Sequence, residues 1–278
     1  MTIDLDQRVV EEFRSNRGRV SGPLAGSRLL LLSTRGGDGG QRRTTPVEFV
    51  HDGGRRTLIV AVPDRAGALP GWYEDLRAGS RVGVENGVFT LEAEAVTLDG
   101  AEREEIFARL VEAEPGLAEA QDRLGAPIPV VALNPVSGRP SGSSWSEDLK
   151  LIHDAFRREL ALIRTELAGA GPSLGAQLRI NCLTLCGGLG HHHTSEDAQM
   201  LPVVGEHHPE LAGVIAELRA EHEAMAKLLA ELQAVISADR PDTAQVRAEV
   251  ERLTAQVEAH LDHEEAELLP LLDALAPN

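Results

Sequence analysis

Residues 192–202 read HHTSEDAQMLP, and residues 260–270 read HLDHEEAELLP. When superposed, both stretches have a histidine, a glutamate four positions later, an acidic residue, an alanine and a final leucine-proline pair. Each copy also has one histidine upstream, because His153 lies 39 residues before His192 and His222 lies 38 residues before His260. The nearly equal spacing indicates a duplicated helix pair.

The sequence around this repeat has helical periodicity. Apolar residues recur at intervals of three and four, which predicts helices. We expect four of them: one capped at its N-terminus by Ser146, one at about 174–201 stopped by Pro202, one at 210–237, and one at 243–269 stopped by Pro270. Because the connections are short, residues 147–278 are predicted to form an all-α, up-down four-helix bundle.

Residues 1–136 have a different pattern, in which short β-rich runs alternate with glycine-rich turns such as Asn86-Gly87. The predicted strands are 28–34, 44–50, 57–62, 81–85, 88–96 and 128–133, and the predicted helices are 6–16, 69–78 and 101–112. This pattern predicts an α+β domain built on a small barrel. Between the two domains, residues 137–146 read SGRPSGSSWS and are predicted to be a flexible linker.

The net charge of −17 is divided unevenly between the domains. Residues before 137 contain 16 Arg and 21 Asp plus Glu (−5), whereas the rest contain 11 Lys plus Arg and 23 Asp plus Glu (−12). This acidity, with only eight aromatic residues, argues against binding to nucleic acid, and it also disfavours anionic membrane surfaces.

The sequence shows no membrane span and no apolar signal-peptide core, so we expect a cytoplasmic protein. Cys182 and Cys186 fit a reducing compartment and are expected to be buried packing residues.

The repeat also predicts a metal site. Residues four apart lie on one face of a helix, so each His-x-x-x-Glu can direct an imidazole and a carboxylate to one point. The candidate ligands are His153, His192, Glu196, His222, His260 and Glu264. Four nitrogens and two carboxylates from four helices suit two first-row metal ions, and the absence of thiolates favours iron or manganese. His193 and His263 are alternative additional ligands, while His191, His207 and His208 are expected at the surface or in turns.

This ligand pattern, with Leu-Pro after each pair, resembles the hemerythrin-like (HHE cation-binding) family over residues 147–275. The resemblance implies two non-haem Fe ions and a role in O2 binding, NO or redox sensing, peroxide chemistry or iron handling. Hemerythrins proper have another histidine one turn after the third-helix ligand, where this chain has Ala226. The departure implies an iron with fewer protein ligands, or one completed by His193 or by water.

Residues 10–136 resemble the deazaflavin-dependent nitroreductase/quinone reductase family, whose fold is a flavin-type split β-barrel. The matching stretches are RVSGPLAG at 19–26, LLLLSTRGG at 29–37, QRRTTP at 41–46, PGWYEDL at 70–76 and IPVVALNPV at 128–136. The resemblance implies an oxidoreductase that transfers hydride from a reduced deazaflavin to a quinone or nitro compound, with a homodimer through the barrel. It carries the cofactor-binding role to Arg35, Arg42, Arg43, Trp72 and Tyr73.

The chain departs from this family in two stretches that contact the cofactor. Gly37 and Asp38 replace the paired basic residues of the phosphate loop, and Val62-Pro63-Asp64-Arg65 replaces Ser-Lys-Gly-Gly. An aspartate opposes a phosphate, and a proline removes a backbone donor. Three alternatives stay open: the barrel binds a deazaflavin, binds FMN, or binds neither, with Trp72 and Tyr73 serving as core residues.

Together, these patterns predict a two-part redox protein, in which a (deaza)flavin reductase-like barrel is coupled to a di-iron bundle that binds O2, NO or peroxide. The alternative is an iron-binding or gas- or redox-sensing protein whose degenerate barrel only dimerises or scaffolds. Whether the chain is an enzyme stays open at this point.

Overall fold

The computed structural model describes residues 5–36, 41–54 and 56–275, and the chain divides into two compact units. One unit contains the described residues up to Ser141 together with Gly175–Gln177, and the other contains Gly142–Leu174 and the residues from Leu178 onward. Gly37 and Asp38 lie outside the described residues. No helix within the described ranges is long and apolar enough to cross a membrane.

The first unit is built on a closed antiparallel barrel with strand order β1-β2-β3-β6-β5-β4. Its strands are β1 (Leu29–Arg35), β2 (Arg42–His51), β3 (Thr57–Val60), β4 (Arg81–Glu85), β5 (Phe89–Thr97) and β6 (Val130–Pro140). β1 pairs with both β2 and β4, with Leu32 opposite Thr45 on one side and Val84 on the other, which closes the barrel. The predicted barrel is confirmed, and the predicted strand at 81–85 has the observed bounds.

Alternating residues of the strands fill the barrel, because successive side chains of a strand point to opposite faces. Leu30 and Leu32 of β1 pack with Ile59 of β3 and Val131 of β6 in one apolar cluster. Four helices surround the strands: α1 (Leu5–Ser15), α2 (Gly71–Leu76), α3 (Gly100–Ala113) and α4 (Gly116–Leu124). The sequence analysis missed α4, a short helix that follows Pro115.

The second unit consists of long helices, as predicted. They are α5 (Trp145–Gly169), α6 (Ala176–Ser195), α7 (Leu201–His207), α8 (Ala212–Ile236) and α9 (Thr243–Leu275), and the π-helical turn Glu196–Met200 joins α6 to α7. Leu160, Ile163, Leu189 and Leu232 belong to the main apolar core and are at most 1% exposed. Trp145, the first residue of α5, is 36% exposed.

The two prolines predicted to stop helices do not stop them. Helical structure continues beyond Pro202 to His207, because Pro202 follows the π-helical turn and lies in the first turn of α7, where a backbone N–H has no partner within its own helix. Pro270 lies inside α9, flanked by Leu268 and Leu272, which are both 0% exposed. Burial of this apolar face offsets the lost backbone hydrogen bond.

The start of α5 also differs from the prediction. The helix is capped by Ser144, whose Oγ accepts a hydrogen bond from the Glu147 amide at 3.3 Å. Ser146 lies in the first turn instead, and its amide donates to Asp273. Upstream, β6 continues to Pro140, which pairs with Phe89 of β5. The irregular connection is therefore shorter than the predicted linker at 137–146.

Candidate metal centre and cofactor sites

The second unit brings the six predicted ligands together. They come from α5, α6, the π-helical turn, α8 and α9, and each is between 0% and 9% exposed: His153, His192, Glu196, His222, His260 and Glu264. The histidine and glutamate of each repeat lie four residues apart on the same side of their helical segment, as the spacing predicts.

The potential ligand atoms form two groups. His153, His192, Glu196 and Glu264 offer one set of atoms within 4.8 Å of one another, and His193, His222 and His260 offer a second set by the same measure. His193, which the sequence analysis named only as an alternative, is thus brought to the cluster. It is 4% exposed, and its ring stacks on that of His222 with centroids 4.5 Å apart.

The two carboxylates lie between the groups. Glu196 Oε1 is 3.1 Å from His192 Nε2, while its Oε2 is 3.7 Å from His222 Nε2. Glu264 Oε2 is 3.4 Å from His153 Nε2 and 3.7 Å from His260 Nε2. Each glutamate therefore faces a histidine of both groups, which is the arrangement that a carboxylate bridging two metal ions requires.

Most inward-facing atoms of the cluster lack hydrogen-bond partners among the described residues. They are Nε2 of His153, His192 and His193, and both carboxylate oxygens of Glu196 and Glu264. Buried polar atoms are usually satisfied, and leaving one without a partner costs about 1–3 kcal/mol. A bound cation would give all seven a partner, so the residues present fit a metal centre.

Carboxylates outside the cluster form hydrogen bonds that orient three of the imidazole rings. Glu265 lies 3.0 Å from His153 Nδ1, Asp197 lies 3.0 Å from His222 Nδ1, and Glu221 lies 2.7 Å from His260 Nδ1. Because an ionised carboxylate can only accept, each of these Nδ1 atoms donates, and Nε2 is the ring nitrogen that faces the cluster, where Nε2 of His222 and Nε2 of His260 lie 3.1 Å apart.

These outer contacts follow the sequence repeat. Asp197 and Glu265 are equivalent residues, each directly after a cluster glutamate. Asp197, in the first copy, holds the upstream histidine of the second copy, His222, whereas Glu265 in the second copy holds His153 of the first. The duplicated helix pair therefore makes reciprocal contacts in the folded unit.

Burial controls protonation within the cluster. It raises the pKa of Glu196 to about 10, with the Glu264 and Asp197 carboxylates adding to the effect. Burial and the neighbouring imidazoles lower the pKa of His192 well below its ordinary value and that of His193 to about 2. Both imidazoles are therefore neutral at pH 7, as metal binding requires.

The remaining histidines lie outside both groups. His263 is half-buried and hydrogen-bonds Glu221 at 3.0 Å, while His191 and His207 are exposed and His208 lies just after α7. Cys182 and Cys186 are buried thiols, and burial raises the pKa of Cys186 to about 12. The thiols are therefore packing groups, as expected.

The arginines predicted to bind a cofactor lie on different faces of the barrel wall. Arg35 and Arg42 are opposite each other on β1 and β2 and line an open cleft of about 1010 Å³ that also contains Arg81 and Arg139. The Arg42 guanidinium covers Gly83, where a Cβ atom would fall 2.6 Å from it. Arg43 faces away from this cleft and its guanidinium lies over Gly71.

The predicted aromatic pair is largely buried. Trp72 is 5% exposed in the barrel core, and Tyr73 packs edge-on against it with ring centroids 6.0 Å apart. Trp72 also lines a cavity of about 370 Å³, together with Pro46, Val62 and Pro70. Thus, Trp72 has a packing role and also borders a cavity, whereas the predicted basic residues lie elsewhere.

Comparisons with known proteins match the two units separately. Residues 6–135 match the model of the F420H(2)-dependent quinone reductase family, and residues 146–272 match that of the hemerythrin HHE cation binding domain. A solved structure described as an F420-H2 dependent reductase is 32% identical, with coverage of 38% of this chain and 94% of that one and a TM-score of 0.34.

Another solved structure, described as a domain-swapped dimer, is 29% identical over 45% of this chain and 91% of that one, with a TM-score of 0.36. The family matches agree with the barrel and with the buried histidine–glutamate cluster. The chain therefore joins an N-terminal domain of the F420H2-dependent quinone reductase family to a C-terminal hemerythrin HHE cation-binding domain.

Proposed function

We propose that the chain is a two-part redox protein: the barrel binds a reduced deazaflavin, and the bundle holds two iron ions that bind O2, NO or peroxide. The observation that carries the proposal is a set of seven buried nitrogen and oxygen atoms in the bundle that have no hydrogen-bond partner in the part of the chain that the structure describes. Satisfied hydrogen bonds would be expected if this cluster served only to stabilise the fold.

The residues of the bundle would have different roles in holding the metal ions. His153, His192, His222 and His260 would supply the nitrogen ligands, and Glu196 and Glu264, which lie near histidines of both groups, would supply the oxygen ligands. The outer carboxylates would hold His153, His222 and His260 through their Nδ1 atoms. Apolar residues next to the ligands exclude water, since Leu189, Leu201 and Leu261 are all 0% exposed.

When bound, the iron ions supply coordination positions for small molecules, and a reduced deazaflavin supplies a hydride, that is, two electrons. In the barrel, Arg35 and Arg42 would provide positive charge for the anionic part of this cofactor in the open cleft that they line. The transfer of two electrons and two protons to one peroxide would yield two water molecules.

Metal analysis of the purified full chain tests the bundle. We expect about two irons per chain after reconstitution with ferrous iron, and near-ultraviolet absorption from the oxidised pair. His192→Ala and Glu264→Ala should each lower the iron content with little loss of helicity, whereas His207→Ala, which changes an exposed histidine, should not. Unchanged iron content in the first two variants would refute the ligand assignment.

Anaerobic mixing tests the coupling. Reduced F420 is added to the iron-loaded chain, followed by hydrogen peroxide, and the return of the oxidised cofactor is recorded by absorption. We expect turnover in the wild type and its loss in Glu264→Ala, whose barrel is unchanged. If F420 binds but peroxide does not accelerate its oxidation, the barrel binds the cofactor and the coupling to the bundle is contradicted.

A second candidate, an iron-containing sensor with a scaffolding barrel, is favoured by the local structure after β3. The carboxylate of Asp64 accepts hydrogen bonds from the amides of Ala66 and Ala68 at 2.8 and 2.9 Å. These amides are therefore engaged within their own turn, and Pro63 has none to offer. Fluorescence titration with F420 and FMN decides: no binding at tens of micromolar would leave the sensor as the better function.

A further inference from the structure

His193 has the properties of a metal ligand and lacks those of a simple core residue. His193 is only 4% exposed, yet its Nε2 has no hydrogen-bond partner among the described residues. Its ring stacks on His222 with an interplanar angle of 12° and meets His260 edge-on at 5.2 Å. The nitrogen atoms of these three residues lie within 4.8 Å of one another.

The helix that carries His222 offers no further imidazole to the cluster. Ala226, one turn later on α8, is exposed. The second copy of the repeat does not supply one either, because the residue equivalent to His193 is Leu261, which is 0% exposed in the apolar core. His193 is thus a departure from the internal symmetry of the bundle, and this departure places a third nitrogen beside His222 and His260.

We propose that His193 is a seventh ligand, which completes a three-histidine position with His222 and His260. This inference rests on the proposed di-metal function and extends it. Two adjacent residues of α6 then serve different ions, His192 one and His193 the other. This is feasible because neighbouring residues on a helix point about 100° apart, so they can address two points on one side of the helix.

The two positions are consequently unequal in charge and in donor type. One has three imidazole nitrogens with the carboxylates outside its own group, and the other has two imidazole nitrogens with both carboxylates in its own group. Nitrogen-rich sites bind late first-row ions more tightly than oxygen-rich sites do. We therefore expect stepwise loading, in which the two equivalents of a single metal have different affinities.

The test uses the full chain and Co²⁺, whose visible absorption reports coordination. His193→Phe keeps an aromatic ring to stack on His222 but removes the nitrogen. The matched control is His191→Phe, at the exposed neighbouring position on α6. We expect two equivalents for wild type and control, whereas His193→Phe should bind one equivalent with little change and the second more than about 100-fold more weakly.

A second measurement distinguishes loss of the ligand from misfolding of the variant. In His193→Gly, free imidazole should restore the second equivalent and its absorption, because it can occupy the space left by the side chain. Two tight equivalents with wild-type absorption in His193→Phe would overturn the assignment of His193 alone. No Co²⁺ binding by the wild type would instead overturn the proposed metal function, so the two failures are distinguishable.

Discussion

At the scale of single residues, Glu265 contributes to the metal centre without belonging to it. It hydrogen-bonds His153 Nδ1 and is itself held by Arg157 at 2.6 Å and Lys150 at 3.1 Å. Burial alone would raise the pKa of Glu265, but the hydrogen bonds from these three partners lower it well below its ordinary value. The carboxylate therefore stays ionised and accepts the hydrogen bond of His153 Nδ1, which leaves Nε2 as the ring nitrogen that faces the cluster.

We predict that Glu265→Gln weakens metal binding by about 10- to 100-fold, as is typical when an outer partner of a ligand histidine is lost. Competition with a chromogenic chelator measures the change. Glu258→Gln, at an exposed position of the same helix, is the control and should leave the affinity unchanged. Equal losses in both variants would show a general charge effect and contradict the positioning role.

Protonation of Glu196 gives a second residue-scale prediction. With its pKa raised to about 10, this carboxyl group is protonated at pH 7 and must lose the proton to bind a cation. Metal binding should therefore release at least one proton per chain at pH 7 and become tighter as the pH rises, since Glu196, and also His153, whose pKa its carboxylate partners raise, must be deprotonated to bind. Calorimetry in two buffers of different ionisation enthalpy counts the protons, and a count of zero would contradict the prediction.

The ligand set shows how far single residues can be predicted from sequence. The six residues predicted as ligands do lie close together, as their spacing predicts, because a helix has a fixed period and the repeat supplies two copies: His153, His192, Glu196, His222, His260 and Glu264. His193 has no counterpart in the second copy, so symmetry could not select it. Only the stacking on His222 and the buried, partnerless Nε2 distinguish it from the exposed His191 beside it.

At the scale of elements, Ser144 gives the start of α5 its cap. We predict that Ser144→Ala destabilises the helical unit by about 1 kcal/mol, because the Glu147 amide loses its acceptor. Ser144→Asp keeps an acceptor oxygen and should be close to wild type. Chemical denaturation followed by circular dichroism measures both. If Ser144→Asp lost as much stability as Ser144→Ala, the capping role would be contradicted.

Elements were predictable where local rules and tertiary packing agree. The strand at 81–85 lies between turn signals and alternates buried with more exposed residues, so its limits are visible in the sequence. The prediction that Pro202 and Pro270 end their helices was wrong, because packing and the π-helical turn compensate for a missing N–H. Neither effect can be predicted from the composition. The helix α4 was missed because it is only nine residues long and its Leu117 and Ala120 are buried in a cluster formed with α3 and the strands.

At the scale of the whole molecule, both potential ligand groups found among the described residues lie in the helical unit. We therefore predict that metal raises the unfolding temperature of this unit but not that of the barrel. A free metal concentration 100 times the dissociation constant should add about 2.7 kcal/mol to its free energy of unfolding. Differential scanning calorimetry with and without a chelator measures this shift. Glu264→Ala should abolish it, and an equal shift in that variant would contradict the prediction.

The positions of Trp72 and Trp145 have a practical consequence for such experiments. They are the only tryptophans of the chain, and one lies in the core of the barrel while the other begins the first long helix. In Trp72→Phe only the tryptophan emission of the helical unit remains, and in Trp145→Phe only that of the barrel remains. The chain thus contains one tryptophan for each domain, and a change in tryptophan emission can be assigned to its source without an attached dye.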